Sequence, residues 1–180
     1  MQKVSRLLNA VAVIAATSLM NGCASSNATP YADNQSPFTI QDYFNGHIKA
    51  HGIVLNRQGQ LKRTFSINMH GQWHATQGVL QEVIHYNDGK AQTRAWHFTT
   101  QDPHHFTATS ADAVGVATGT QYGNAVHMTY TLNVPVDQSV YELNFDDWLY
   151  KLPDGKVINR TLLSKFGINV SEIIITYDKK

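Results

Sequence analysis

From Phe44 onward the chain alternates apolar and polar residues with a period of two. Phe44, Gly46, Ile48, Ala50, Gly52 and Val54 are interleaved with Asn45, His47, Lys49 and His51, the signature of a long strand with one buried face. Phe65, Ile67 and Met69 repeat the pattern, and Thr76 to Tyr86 runs into Asn87-Asp88-Gly89, a strong hairpin turn. Arg94, Trp96 and Phe98 then share one face of the returning segment. Pro103-His104-His105 reads as a loop, and Phe106 to Thr109 and Val114 to Thr118 as shorter strands. Gly119 to Gly123 reads as a turn into Val126 to Asn133, where Met128, Tyr130 and Leu132 share a face. Val140 to Tyr150, Val157 to Leu163 and Val170 to Tyr177 complete the series. Helix is confined to one short turn within Phe38 to Phe44, capped by Thr39 with Asp42 in its first turn.

Eight to nine regularly spaced strands joined by Gly-, Asn- and Asp-rich turns predict an all-β, antiparallel sandwich or barrel. The barrel is favoured for two reasons. The apolar-polar runs are long for sandwich strands, and Gly46, Gly52, Gly78, Gly115 and Gly119 stand where a curving sheet would kink or bulge. A closed up-and-down barrel of this size has an interior that side chains fill or that holds one small ligand, which is the lipocalin-like plan.

The segment before the strands has a different character. Lys3 and Arg6 precede an apolar run from Leu7 to Met20, followed by Asn21-Gly22-Cys23. That run is shorter than the roughly 20 apolar residues a spanning helix needs, and it has the form of an export signal. Cys23, the single cysteine, fits the acylated first residue of a lipoprotein; the alternative is an ordinary signal cut near Ala24 that leaves a free thiol. The expected organisation is a signal over 1–22, a lipid anchor and flexible stem over 23–37, and one barrel domain over 38–180. Ala24, rather than an acid, after Cys23 favours the outer membrane with the domain facing the periplasm.

Charge narrows the possible partners. The signal holds two of the 14 basic residues and no acid, so the rest carries 12 basic against 13 acidic groups. Without a basic excess or cluster, nucleic acid is not an expected partner. There is no Gly-x-Ser-x-Gly, P-loop or dinucleotide fingerprint, and hence no cofactor is expected. Nine histidines raise the question of a metal. His47 and His51 are separated by Lys49, and His104-His105 has no supporting ligand nearby, so no metal site is expected.

Several segments carry a family resemblance: Tyr43-Phe44-Asn45-Gly46, Gly71-Gln72-Trp73, Tyr86 to Gly89, Arg94-Ala95-Trp96, Asp112 to Gly119, Gly123-Asn124-Ala125, Asp146-Asp147-Trp148, Asn159-Arg160 and Lys165-Phe166-Gly167. With them, the chain from Cys23 to its end resembles an uncharacterised family of bacterial lipoproteins with a lipocalin-like barrel. The resemblance implies that fold and an envelope location, and brings no catalytic residues.

The candidate ligand site is read from the inward faces. Matching Leu149 with Ile158 and Phe145 with Leu162 sets a register in which Asp147 faces Arg160 on the apolar side; a bulge at Gly155 would shift it by one. This pair is either a structural ion pair or a place where Arg160 receives an acidic head group, and Arg94 beside Trp96 is a second such candidate. With Tyr130 and Trp148 as lining aromatics, the candidate residues are Arg94, Trp96, Tyr130, Asp147, Trp148 and Arg160. The leading expectation is a membrane-tethered barrel that binds a fatty acid or other lipid-like molecule. The alternatives are a lipid-modifying enzyme using Asp147 or a histidine as acid or base, and a structural lipoprotein with a filled barrel.

Overall fold

The computed structural model describes residues 27–136 and 138–179, so the expected signal and Cys23 lie outside the described residues. Ten antiparallel strands form one closed up-and-down barrel. They are β1 (Gly46–Asn56), β2 (Leu61–His74), β3 (Gln77–Tyr86), β4 (Ala91–Thr100), β5 (His105–Thr109), β6 (Ala117–Tyr122), β7 (Ala125–Val136), β8 (Ser139–Lys151), β9 (Val157–Lys165) and β10 (Ile168–Lys179). Each strand pairs with its sequence neighbours, and β1 closes on β10 from Ile48 opposite Lys179 to Asn56 opposite Ser171. The strand count exceeds the expected eight to nine. Gly119 to Tyr122 proves to be strand rather than turn, and the reversal falls at Gly123-Asn124.

The period-two pattern is obeyed on the inside. Ile48, Ala50, Ile67, Met69, Leu80, Trp96, Phe98 and Phe106 point inward and are buried, each large side chain contributing on the order of 1.5–3 kcal/mol. Three strand glycines have a role that the sequence reading missed. Gly52, Gly78 and Gly119 lie directly opposite Phe65, Trp73 and Phe106, and an added Cβ would come within 2.1–2.3 Å of those rings. They are seats for cross-strand aromatic side chains. The register shifts fall at Val54/Leu55 and Asn169/Ser171 instead.

One end of the barrel is plugged by α1 (Ile40–Phe44), whose N-cap Thr39 accepts from the Asp42 amide as expected. Phe38, Tyr43, Phe44 and Tyr177 form a run of edge-on rings 5.2–5.5 Å apart across this end. The Ile40 amide donates to Gln121 Oε1, and the Tyr43 hydroxyl donates to the Tyr177 carbonyl. The opposite end, where β1–β2, β3–β4, β5–β6, β7–β8 and β9–β10 connect, forms the mouth.

The expected flexible stem does not run free over its described part. Ala28 is fully buried, its amide donates to Thr120 Oγ1, and a short 3-10 turn at Thr29–Tyr31 sets the Tyr31 ring against Trp148 and Tyr150. The segment is polar in composition, but its few apolar groups find a complementary patch on the outer wall. Among the described residues no helix is long and apolar enough to cross a membrane.

Candidate functional site

The interior is packed at the closed end and, on β7, β8 and β9, as far toward the mouth as Leu132, Leu143 and Leu163, while other inward side chains keep accessible surface. Leu149, Met128 and Tyr177 are buried, whereas Asp147, Tyr130, Ile173 and Ile175, one or two inward positions closer to the mouth, are only half-buried. Phe65, Tyr86, Arg94 and Val134 likewise keep accessible surface while pointing inward. These side chains line a cup open to the mouth, with an apolar wall on β1, β2, β3 and β10 and a polar wall on β3, β4, β7 and β8.

Arg94 organises one part of the polar wall. Its Nε and Nη2 both donate to Asp112, the latter at 2.8 Å, and its Nη1 lies 3.9 Å from Glu82 on the facing strand. Ser110 Oγ donates a further bond to Asp112. Burial raises the Asp112 carboxyl, but Arg94 and Ser110 more than offset this and hold it below the ordinary value. Glu82 is only 8% exposed, and its carboxyl is raised to about 7, first by burial and then by Asp147 and Asp112, with Arg94 opposing. Among the described residues its one charged partner is Arg94, already shared with Asp112.

Asp147 organises the other part. Its carboxylate accepts from the Tyr130 hydroxyl at 3.1 Å, from Thr161 Oγ1 at 2.7 Å and from the Asn159 amide. Burial raises this carboxyl, and those three hydrogen bonds pull it back only in part. Asn159 also donates to the Trp148 carbonyl, tying the cluster to the β8 backbone.

Of the six residues singled out from sequence, Arg94, Trp96, Tyr130 and Asp147 share the interior. The Trp96 and Tyr130 rings meet edge-on at 5.2 Å. Trp148 and Arg160 lie on the outer wall, so the expected Asp147–Arg160 pair does not form. The β8–β9 register is one residue from the expected one, placing Asp147 opposite Thr161 and Trp148 opposite Arg160. The Leu152-Pro153-Asp154-Gly155 turn, with Gly155 at φ +84°, decides that register. Arg160 pairs with Glu172 on the surface, while Trp148 stacks on His127, which bonds Asp146 at 2.5 Å.

Sequence reasoning passed over Glu82, Asp112, Asn159 and Thr161. Glu82 had a legible signal, an acid at an inward position between Leu80 and Ile84. Asp112 lies in the β5–β6 loop, and the fold of that loop beside the neighbouring β4 brings it to Arg94. Two carboxylates, Asp112 and Glu82, thus face one guanidinium that is already bonded, so Arg94 is not free to receive an acidic head group. Among the described residues no group of three His, Cys, Asp or Glu side chains is placed to hold a metal. The His47 and His70 rings lie against each other, tilted by 33° with centroids 4.3 Å apart, on the outer wall.

Fold and interior together define a lipocalin-like barrel with a partly open cup that has one polar wall. The chain belongs to the family described as a protein of unknown function (DUF3833), which it matches over residues 17–179. No curated protein shows a significant match. Among solved structures, it is similar to the S-type phycobiliprotein lyase CPES from Guillardia theta, with a TM-score of 0.57 at 8% identity over 79% of this chain and 94% of that one. A second, EF1p2_mFAP2b bound to DFHBI, gives a TM-score of 0.42 at 10% identity over 77% and 95% of the two chains. At these identities the likeness concerns the fold alone.

Proposed function

We propose that this protein is a periplasm-facing lipoprotein, tethered to the outer membrane through acylated Cys23, whose barrel holds an apolar or lipid-like molecule in the cup. The observation that carries the reading is the set of inward but half-buried apolar side chains, Phe65, Tyr86, Val134, Ile173 and Ile175, beside an otherwise packed interior. A barrel with no guest to hold would gain by filling that space, because voids forfeit contact energy. The export pattern ending at Gly22-Cys23 supports the tether.

The acid excess on the polar wall favours a ligand whose polar end is neutral or donates hydrogen bonds, since a second anion would meet Glu82, Asp112 and Asp147. Asp147 has every nearby donor directed at it, which suits a structural role better than proton transfer.

The test is to purify residues 24–180, which include the whole described barrel, and extract them for lipid mass spectrometry beside a cavity-free control. One lipid enriched to near-stoichiometric amount is the expected result. Background alone, even after incubation with envelope lipids, would remove the carrier reading and leave a structural lipoprotein.

A further inference from the structure

We propose that the mouth of the barrel is itself a membrane-docking surface, with the Phe166-Gly167 hairpin tip seated in the lipid interface. The inference shares with the proposed function only the lipid-bearing Cys23, and it is independent of what the cup holds.

Exposed apolar side chains are concentrated at one end of this molecule. Val83 excepted, every large hydrophobic residue that stands exposed among the described residues is at the mouth. They come from separate connections: Val114 and Val116 from the β5–β6 loop, Val136 and Val140 from the β7–β8 turn, and Phe166 and Ile168 from the β9–β10 turn. Scattered single apolar residues need no explanation, but a rim assembled from several hairpins at one end of a barrel marks an interaction surface.

Phe166 is the strongest part of the case. It is 90% exposed and sits at φ +53°, followed by Gly167 at φ +77°. A two-residue turn of this kind is relaxed with Asn-Gly, whereas an aromatic residue in the left-handed region is strained by on the order of 1 kcal/mol. The fold therefore accepts backbone strain and an unfavourable hydration together to present this ring at its outermost point. The Lys165 ammonium lies 4.2 Å from the Tyr141 ring and 5.2 Å from that of Phe166. Aromatic rings beside a lysine suit an interface where the ring enters and the ammonium meets phosphate.

The occupant follows from where the chain enters and from charge. Ala28 bonds Thr120, and Tyr31 lies against Gly123, so the segment runs along β6 toward the closed end and is entered from the mouth side. Cys23 precedes Asn27 by four residues, a reach of at most about 14 Å. Running back from Thr120 to Val116 covers about 13 Å, so the acyl chains can lie at the level of the rim. Arg57, Lys62, Lys90 and Lys165 stand at the mouth, where Arg63 offsets Asp88, Arg94 offsets Asp112, and Glu142 and, by sequence position, Asp137 are the remaining acids. Among the described residues the closed end carries Asp33, Asp42, Asp102, Asp154 and Asp178 against Lys49, Lys151, Lys156 and Lys179. The mouth is thus the end with a positive excess, which matches an anionic bilayer surface.

The experiment uses the full-length lipoprotein reconstituted in vesicles of phosphatidylethanolamine and phosphatidylglycerol with brominated acyl chains. Acylation occupies the native thiol, so Ser139→Cys at the mouth or Asp154→Cys at the closed end provides a single site for a fluorophore. Severalfold stronger quenching at position 139 than at 154, lost when Phe166→Ser and Ile168→Ser are added, is the expected result. Equal quenching at both ends, stronger quenching at 154, or no effect of the tip substitutions would overturn the proposal. If mass measurement shows no acyl group, the same labels on residues 24–180 mixed with the vesicles decide the matter, since absence of quenching at 139 then refutes docking by the rim. All four positions are exposed, and circular dichroism checks that each variant is folded.

Discussion

Glu82 is an acid on a face otherwise built from Leu80, Ile84 and Tyr86, and its carboxyl is raised from 4.5 to about 7. Between those values the folded protein keeps a proton that the unfolded chain releases, so stability falls as pH rises from about 4.5 to about 7 and then levels off. The loss attributable to this group is at most about 3 kcal/mol. Glu82→Gln should match the parent at pH 4 and exceed it at pH 8, as read by urea unfolding across that range; parallel pH profiles for the two proteins would show that Glu82 does not carry the effect. The neighbouring acids behave differently. Asp112 is held low by Arg94 and Ser110, and Asp147 is hydrogen-bonded by Tyr130, Asn159 and Thr161. At this scale the sequence was partly legible. Alternation put Arg94, Trp96, Tyr130 and Asp147 on inward faces, but Arg160 was assigned to the wrong side because one residue of hairpin register reverses every side chain of a strand.

At the level of strands, three glycines seat three aromatic rings. A glycine within a strand has two readings, a kink or a close approach by another group, and the sequence does not choose between them. Here each proved to be the second, because the opposite residue is Phe65, Trp73 or Phe106. Gly119→Ala should therefore lower stability by about 1–3 kcal/mol through overpacking against Phe106, which is 1% exposed and has nowhere to retreat. Chemical denaturation of Gly119→Ala, Phe106→Leu and the double variant checks this. The double variant should be less destabilised than the sum of the single ones, and strict additivity would mean that the two side chains do not collide.

Across the whole molecule, a segment composed like a linker acts as a strap. Ala28 to Tyr31 lie on the outer wall against Thr120, Trp148 and Tyr150, while Phe38 and α1 plug the closed end. A chain beginning at Ser36 keeps the plug and loses the strap. It should remain a folded barrel, be less stable by about 2–3 kcal/mol from the apolar surface uncovered, and show an altered near-ultraviolet signal from Trp148. An unchanged melting temperature would mean that the strap contributes no net stability.

What the sequence determined by itself was local and periodic. Alternation within strands, the Asn87-Asp88-Gly89 turn, the Thr39 cap and the all-β barrel class each depend on neighbours a few residues apart, and single-sequence physics reaches that far. Tertiary structure alone decided which strand opposes which residue, and so that Asp147 meets Thr161 rather than Arg160. It also brought Asp112 from a loop to Arg94, left part of the inward face accessible from the mouth, and collected apolar residues of separate hairpins into one rim. The register was decided within one hairpin by its turn, whereas the open mouth and the rim join groups distant in sequence and follow from closing β1 onto β10, a geometric condition on the whole chain that no stretch of it encodes.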